Sequence, residues 1–262
     1  MTELLTSLSN PLIKQARALR QKKTRTDTGL FVVEGIHHVG EVAEAGWDIQ
    51  LVLYAPDLLT SDFARDLIAS LEKRHVRTQP VSTPVMDSLA EKDNPTGILA
   101  LVHQRKMVLA DYPPANLSSS VALVSPQDPG NVGSILRTMD AVGVDALFIL
   151  DGGVDIYHPS VVRASMGAIF WKLVVHAAFD EFVLWAHDSG LKLIGTSAHA
   201  TTGYRDVKVS PPWVLILGSE QKGLSIAQQA TCDLTVSLPM HGRASSLNLS
   251  VAAGILLYEW LK

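Results

Sequence analysis

A single cysteine, Cys232, in 262 residues leaves no partner for an internal disulfide. Packing alone must therefore hold the fold, and a reducing, cytoplasmic compartment is expected. No apolar export stretch opens the chain; "MTELLTSLSNPLIKQARALRQKK" is amphipathic and then basic. No run comes near the roughly 18 uncharged apolar residues of a membrane span, which excludes a membrane role. Charge is scarce too, at 18% of residues with a net charge of −4. That excludes a protein basic all over, while a local basic patch stays open. The nine histidines show no metal-ligand spacing, so no metal is expected. The absence of G-x-S-x-G speaks against a hydrolase triad.

What is present is a well-cored composition, 47% hydrophobic, arranged in an alternating rhythm. The stretch "RKMVLADYPPANLSSS" interrupts it with two adjacent prolines and three serines, which predicts a linker over 105–119. It separates a first domain, 1–104, from a second, 120–262. In the first, a helix is predicted from Pro11 to about Thr24. After it come a strand at "LFVVEG", a helix at "IHHVGEVAEAG", a strand at "IQLVLYAP", and a helix capped by Ser61 or Asp62. Strands at "VRTQPVS" and "GILALVHQ" complete a small α/β domain. In the second, short and almost wholly apolar strands such as "VALVS", "ALFIL" and "PWVLILG" alternate with helices, the pattern of a parallel sheet covered on both faces. Ligands of such sheets sit beyond the carboxyl ends of the strands.

Three turns stand at those ends. "SPQDPGNVGSILR" follows an apolar strand, yet offers only Gly130 and Gly133 in the wrong register for G-x-G-x-x-G, and no lysine for a phosphate loop. Asn131 sits near the start of a helix expected from about Gly133 to Ala141, where its side chain can cap. Arg137, further along that helix, is either a solvated cation or a fork reaching a phosphate or ribose oxygen. In "GSEQKGL", Gly218 and Gly223 allow a sharp turn close to a ligand, with Glu220 between them as an acceptor or a solvated acid. "PMHGRASSLNLS" leads into a closing helix expected to open at Ser245 or Ser246, with Asn248 in its first turn. Leu247, Val251 and Ile255 are expected to form its inward stripe.

Taken together, "DPGNVGSILRTMDAVGVD", "LILGSEQKGLS" and "LPMHGRASSLNLSVAAGILLYE" resemble the three motifs of the SpoU (TrmH) family of RNA ribose 2′-O-methyltransferases. "HPSVVRASMGAIF" and "GTSAHA" are similar to the family as well. The first domain resembles the substrate-binding domain that often precedes this catalytic unit, through "LSNPLIKQARAL", "FVVEGIHHVGEVAEAG" and "NPTGILALV". The resemblance implies an α/β trefoil-knot (SPOUT) methyltransferase domain with a parallel sheet, preceded by a small α/β RNA-binding domain. It implies S-adenosylmethionine as methyl donor, held at Thr196, Gly218, Leu238, Met240 and Leu247. It also implies a homodimer with the active site near the subunit interface.

A ribose 2′-hydroxyl is a poor nucleophile that must lose its proton as it attacks. The resemblance gives its activation to Arg137, but a guanidinium stays protonated in proteins. Stabilising the developing alkoxide or the neighbouring phosphate is therefore the better role for it. Asn131, Glu220, Ser246 and Asn248 match the family's other polar positions, and would orient Arg137, the ribose and the cofactor loops. Residues 1–28 carry Lys14, Arg17, Arg20, Lys22, Lys23 and Arg25 against Glu3 and Asp27, a local patch suited to RNA phosphates. Large-subunit ribosomal RNA is the expected substrate. Transfer RNA, or a non-catalytic RNA-binding relative, are the alternatives.

Overall fold

The computed structural model describes residues 3–91, 96–112, 114 and 117–261. Asn94 and Pro95 of the "NPTGILALV" motif, and Pro113, Ala115 and Asn116 of the expected linker, lie outside the described residues. The chain forms two compact units, one of residues 1–105 with 157–170, the other of residues 106–156 with 171–262.

The first unit begins with α1 (Pro11–Ala18) and α2 (Lys22–Thr28), where the sequence predicts one helix. The break has a physical cause in Arg25. Its side chain is 1% exposed, and Nη1 donates to the carbonyls of Leu19 and Arg20 at 2.8 Å each. Carbonyls at a helix end lack intrahelical partners, and here an inward-turned guanidinium supplies them. The chain continues through β1 (Leu30–Glu34), α3 (Ile36–Glu44), β2 (Ile49–Tyr54), α4 (Asp62–Lys73) and β3 (Thr78–Pro80) to α5 (Thr83–Leu89) and β4 (Ile98–His103). Ser61 caps α4 by accepting from Ala64 N–H at 3.2 Å. The sheet order is β1-β4-β2-β3, with β4 antiparallel to both neighbours and β3 parallel to β2. One face of the sheet packs on α1 and α5 through Ile13, Leu19, Leu53, Val85, Met86 and Leu101.

Residues 157–170, inside the stretch predicted as the second domain, fold with this first unit and carry α7 (Pro159–Ala164). Phe170 accepts a hydrogen bond from Trp47 Nε1 at 3.0 Å and sets its ring edge-on to the indole, while Tyr157 lies against Phe31.

The second unit is built on β5 (Ser119–Val124), α6 (Pro129–Val142), β6 (Ala146–Leu150), β7 (Leu173–Ala177), α8 (Phe179–Asp188), β8 (Lys192–Thr196), β9 (Thr202–Gly203), β10 (Trp213–Leu217), α9 (Ile226–Ala230), β11 (Leu234–Ser237) and α10 (Leu249–Trp260). Its seven-stranded sheet, ordered β7-β6-β5-β10-β8-β11-β9, is parallel at every pairing. This is the covered parallel sheet expected from the apolar strands; β5, β6 and β10 are buried along their whole length. Ser119 and Ser120, which the composition assigns to the linker edge, are buried in β5. Leu109 and Leu117 of the linker pack into the same core as Phe148 and Phe182. The direction of winding changes between β5 and β10, and β11 lies between two strands, β8 and β9, that follow one another in the chain. Loops from distant parts of the sequence therefore meet at the carboxyl ends of these central strands.

Candidate active site

At the turn after β5, Asp128 is the cap of α6; its Oδ1 accepts from the N–H groups of Gly130 at 2.6 Å and Asn131 at 3.1 Å. The helix therefore starts at Pro129, earlier than the glycine pattern predicts, and Asn131 falls inside its first turn. Asp-Pro at a helix start is the signal that could have placed the cap. Freed from capping, the Asn131 side chain is buried and bridges two other turns. Its Nδ2 donates to Glu220 Oε1 at 3.2 Å, and its Oδ1 accepts from Asn248 Nδ2 at 2.9 Å.

Glu220 also closes the first turn, accepting from Gln127 N–H at 3.0 Å and Asp128 N–H at 3.1 Å. Burial by itself would raise the pKa of this carboxyl. Hydrogen bonds from its own amide, from Asn131 and from the amides of Asp128 and Gln127 favour the anion more, and the net direction is downward. Glu220 is thus held as a carboxylate, which suits a positioning role better than proton transfer. Its loop is tight because Gly223 N–H donates to Ser219 C=O at 2.8 Å, with Gly223 at φ 63°. A Cβ on Gly218 would overlap the Gly223 carbonyl group, so only glycine fits there.

Asn248, not Ser245 or Ser246, caps α10, accepting from Ser250 N–H at 2.9 Å and Val251 N–H at 3.4 Å. Ser246 is exposed. The stripe Leu247, Val251, Ile255 is also reversed from the expectation: these side chains are 38%, 49% and 37% exposed, and Tyr258 continues them. A helix pattern gives the period of the apolar stripe but not which body it faces.

Beside this network lies a cavity of about 630 Å³. Thr196, Gly218, Leu238, Met240 and Leu247, the five residues assigned to the cofactor by motif, all line it, as do Glu220, Ser246 and Asn248. Asn131 and Arg137 are not among its lining. Arg137 stands on the exposed side of α6, with no hydrogen bond or ion pair among the described residues. The volume falls within the roughly 300–1,000 Å³ usual for small-molecule sites. Leu217, Leu224, Val236 and Leu256 supply an apolar floor that motif reasoning did not name. They come from two strands, a loop and a helix, so no local spacing marks them.

Of residues 239–247, Met240, Ser245, Ser246 and Leu247 line the cavity, and 241–247 are exposed. An apolar floor with the polar groups of Thr196, Ser246 and Asn248 on the wall suits a nucleoside-bearing cofactor. The residues present therefore fit S-adenosylmethionine.

Of the six cations in the predicted RNA patch, Lys14, Arg20, Lys22 and Lys23 are exposed. Arg17 is half-buried and donates to Ser88 Oγ at 2.9 Å. Arg25 is withdrawn into the core, and its role there is structural. Among the described residues, no group of three or more His, Cys, Asp or Glu side chains could hold a metal ion, and no helix is long and apolar enough to cross a membrane.

Comparison with known proteins gives a consistent picture. Residues 118–258 match the SpoU rRNA Methylase family, and residues 10–100 match the MRM3-like substrate binding domain. The chain is 33% identical, over 92% of its length and 85% of the relative's, to a 23S rRNA (uridine(2479)-2′-O)-methyltransferase of Streptomyces viridochromogenes. It is 31% identical, over 97% of both chains, to the 23S rRNA (guanosine(2553)-2′-O)-methyltransferase RlmP of Bacillus subtilis. The crystal structure of an AdoMet-bound rRNA methyltransferase from Sinorhizobium meliloti superposes with a TM-score of 0.89 at 33% identity, covering 98% of this chain and 97% of that one.

Proposed function

The chain belongs to the SpoU rRNA methylase family, and from that premise we propose that it methylates a ribose 2′-hydroxyl of large-subunit ribosomal RNA, using S-adenosylmethionine. The observation that carries this reading is the meeting of all five motif-assigned cofactor residues in one cavity, against the Glu220–Asn131–Asn248 network. Bound there, the cofactor supplies an electrophilic methyl group on a sulfonium.

The protein's part is positioning and electrostatics. Gly218 lets the 218–224 loop close tightly, and Thr196, Leu238, Met240 and Leu247 form the binding wall. Glu220 fixes Asn131, and Asn131 fixes Asn248, so three turns cannot shift independently. Ser246, exposed at the cavity edge, orients the ribose. Arg137 stabilises the alkoxide that develops as the hydroxyl loses its proton, or the phosphate beside it.

We assign RNA holding to the domain 1–104, with Lys14, Arg20, Lys22 and Lys23 on phosphates, and catalysis to 120–262, with 105–119 as the connecting segment. The exposed stripe Leu247, Val251, Ile255 and Tyr258 supports a homodimer whose active sites lie near the subunit interface. The lone Cys232 and a ribosomal RNA substrate support a cytoplasmic location.

The test is transfer of labelled methyl from S-adenosylmethionine to unmodified total RNA, followed by fractionation by size. Label in the large ribosomal RNA is expected. Label confined to transfer RNA would overturn the substrate, and no label in either whole RNA or isolated ribosomal subunits would overturn the reaction.

A further inference from the structure

Two residues of the second unit hold a left-handed backbone although neither is glycine: Ser125 (φ 47°), directly after β5, and Asp151 (φ 55°), directly after β6. The two strands pair in parallel with Val124 opposite Leu150, so the pair stands together at the carboxyl ends of the sheet. Such backbone is costly for a residue with a Cβ and persists only where its surroundings over-determine it. Here they do. Ser125 N–H donates to Leu150 C=O at 2.8 Å, and its Oγ donates to Asp151 C=O at 3.3 Å. Asp151 N–H donates to Ala177 C=O at 3.1 Å, and its Oδ1 accepts from Phe179 N–H at 2.8 Å.

What this strained pair supports is the turn 125–128. Pro126 is buried, and its C=O accepts from Val154 N–H at 2.9 Å. Gly153 (φ 104°) passes so close that a Cβ on it would lie 2.4 Å from the Pro126 carbonyl oxygen. No real Cβ contact is that short, so any larger residue at 153 must push the turn away. The next two amides of the turn, Gln127 and Asp128 N–H, are held by Glu220, and Asp128 caps α6. One short turn is therefore gripped at its carbonyl by the 151–154 loop and at its amides by a carboxylate. It delivers the chain into the helix that carries Asn131 and Arg137. None of residues 151–154 lines the 630 Å³ cavity, so this support acts on the α6 start rather than on the cofactor wall.

We propose that Gly153 is a positioning residue for methyl transfer: by fitting against the Pro126 carbonyl it sets the turn that starts α6, and through that turn the places of Asn131 and Arg137. The role rests on the methyltransferase reading above. The loop contains its own control. Gly152 is also left-handed (φ 75°), but a Cβ there would meet nothing within 4 Å. Alanine at either position must adopt backbone that suits glycine. Only at 153 does it also collide with Pro126.

The test uses the full chain and compares the parent with Gly153→Ala, Gly152→Ala and Ser125→Gly. Four quantities are read: kcat for methyl transfer to unmodified 23S RNA, cofactor Kd by equilibrium dialysis, the urea unfolding midpoint, and hydrogen exchange of the Gln127 and Asp128 amides. Gly153→Ala should lower kcat by about 100-fold, the scale of a 1 Å misplacement in a site, while cofactor Kd stays close to the parent's. It should also speed exchange of both amides, because the turn shifts away from Glu220. Gly152→Ala should lower the midpoint through its backbone cost and leave kcat and exchange near the parent's. Ser125→Gly covers the case in which Gly153→Ala does not fold. It removes the Oγ bond together with the backbone strain, so kcat should fall while the midpoint does not, the opposed movement expected where strain serves activity.

Parent-like kcat in Gly153→Ala, or equal losses of kcat in the two alanine variants, overturns the positioning role. Cofactor binding that weakens in step with kcat overturns it too, because the loop would then serve the cofactor wall. Amide exchange does not depend on the reaction and so separates the two readings. Transfer by the parent with no difference between the alanine variants refutes the positioning role alone. Faster exchange in Gly153→Ala, with no transfer by the parent to any RNA, refutes the methyltransferase reading and leaves Gly153 as the support of the turn.

Discussion

Arg25 and Lys23 are two residues apart in one basic run, yet the fold gives them opposite surroundings. Arg25 is drawn into the core to satisfy the carbonyls of Leu19 and Arg20, whereas Lys22 and Lys23 stay in water. Arg25→Ala should strand those carbonyls and cost about 1–3 kcal/mol for each buried group left unpaired, measured by urea unfolding. Lys22→Ala with Lys23→Ala should leave stability within about 0.5 kcal/mol. That pair should instead lower RNA affinity and flatten its log–log salt dependence by about one unit per lysine. A similar contrast holds at the active site. Arg137→Ala should abolish methyl transfer while equilibrium dialysis still detects cofactor binding; near-normal turnover would remove Arg137 from the mechanism.

Glu220 brings a pH dependence. Its folded pKa lies below the ordinary value of 4.5, so the anion is favoured by folding. The stability it contributes is full above about pH 5 and is lost as pH falls through the folded value. Glu220→Gln should remove that acid-side loss, seen as a flatter plot of unfolding midpoint against pH between about 5 and 3.

At the scale of elements, the ends of α6 and α10 decide the site more than their middles. The α6 cap is Asp128, and the same turn is held from the other side by Glu220, so helix start and the Glu220–Asn131–Asn248 network form one structure. Asp128→Ala should cost about 0.5–2 kcal/mol of stability, and shift Asn131 enough to lower turnover with less effect on cofactor affinity. The starts of these helices were misread from sequence for one reason. Ser246 and Asn131 have good capping chemistry, but Asn248 and Asp128 have it as well, and neighbours in space chose between them. Strands were easier to read. Short apolar runs such as "ALFIL" and "VLIL" are too short for a helix and are followed by glycine-containing turns, which favours strands. The two-residue β9 and the helix α5 carried too little pattern to be seen.

For the molecule as a whole, the exposed apolar stripe on α10 is the feature most in need of a partner. Replacing both Val251 and Ile255 by Glu should convert a dimer to a monomer in light scattering, without a change in the far-ultraviolet circular dichroism. A mass that was monomeric from the outset would leave the stripe to some other contact.

The sequence by itself determined the class of the fold, the parallel sheet of the second unit, and the three turns that the Glu220–Asn131–Asn248 network joins. Those are local properties: periodicity, apolar runs, and glycines at turns whose backbone admits nothing larger, as at Gly218. Tertiary structure alone decided that Thr196, Gly218 and Leu238 share one cavity wall, because the order β5-β10-β8-β11 that gathers their strands is not written in any window of residues. It also decided that residues 157–170 fold with the first unit, that Arg25 is buried, and that Val251 and Ile255 face water. Which side of a helix is covered depends on where distant segments pack, and that is settled by the total burial of the chain, not by the spacing of the helix's own residues.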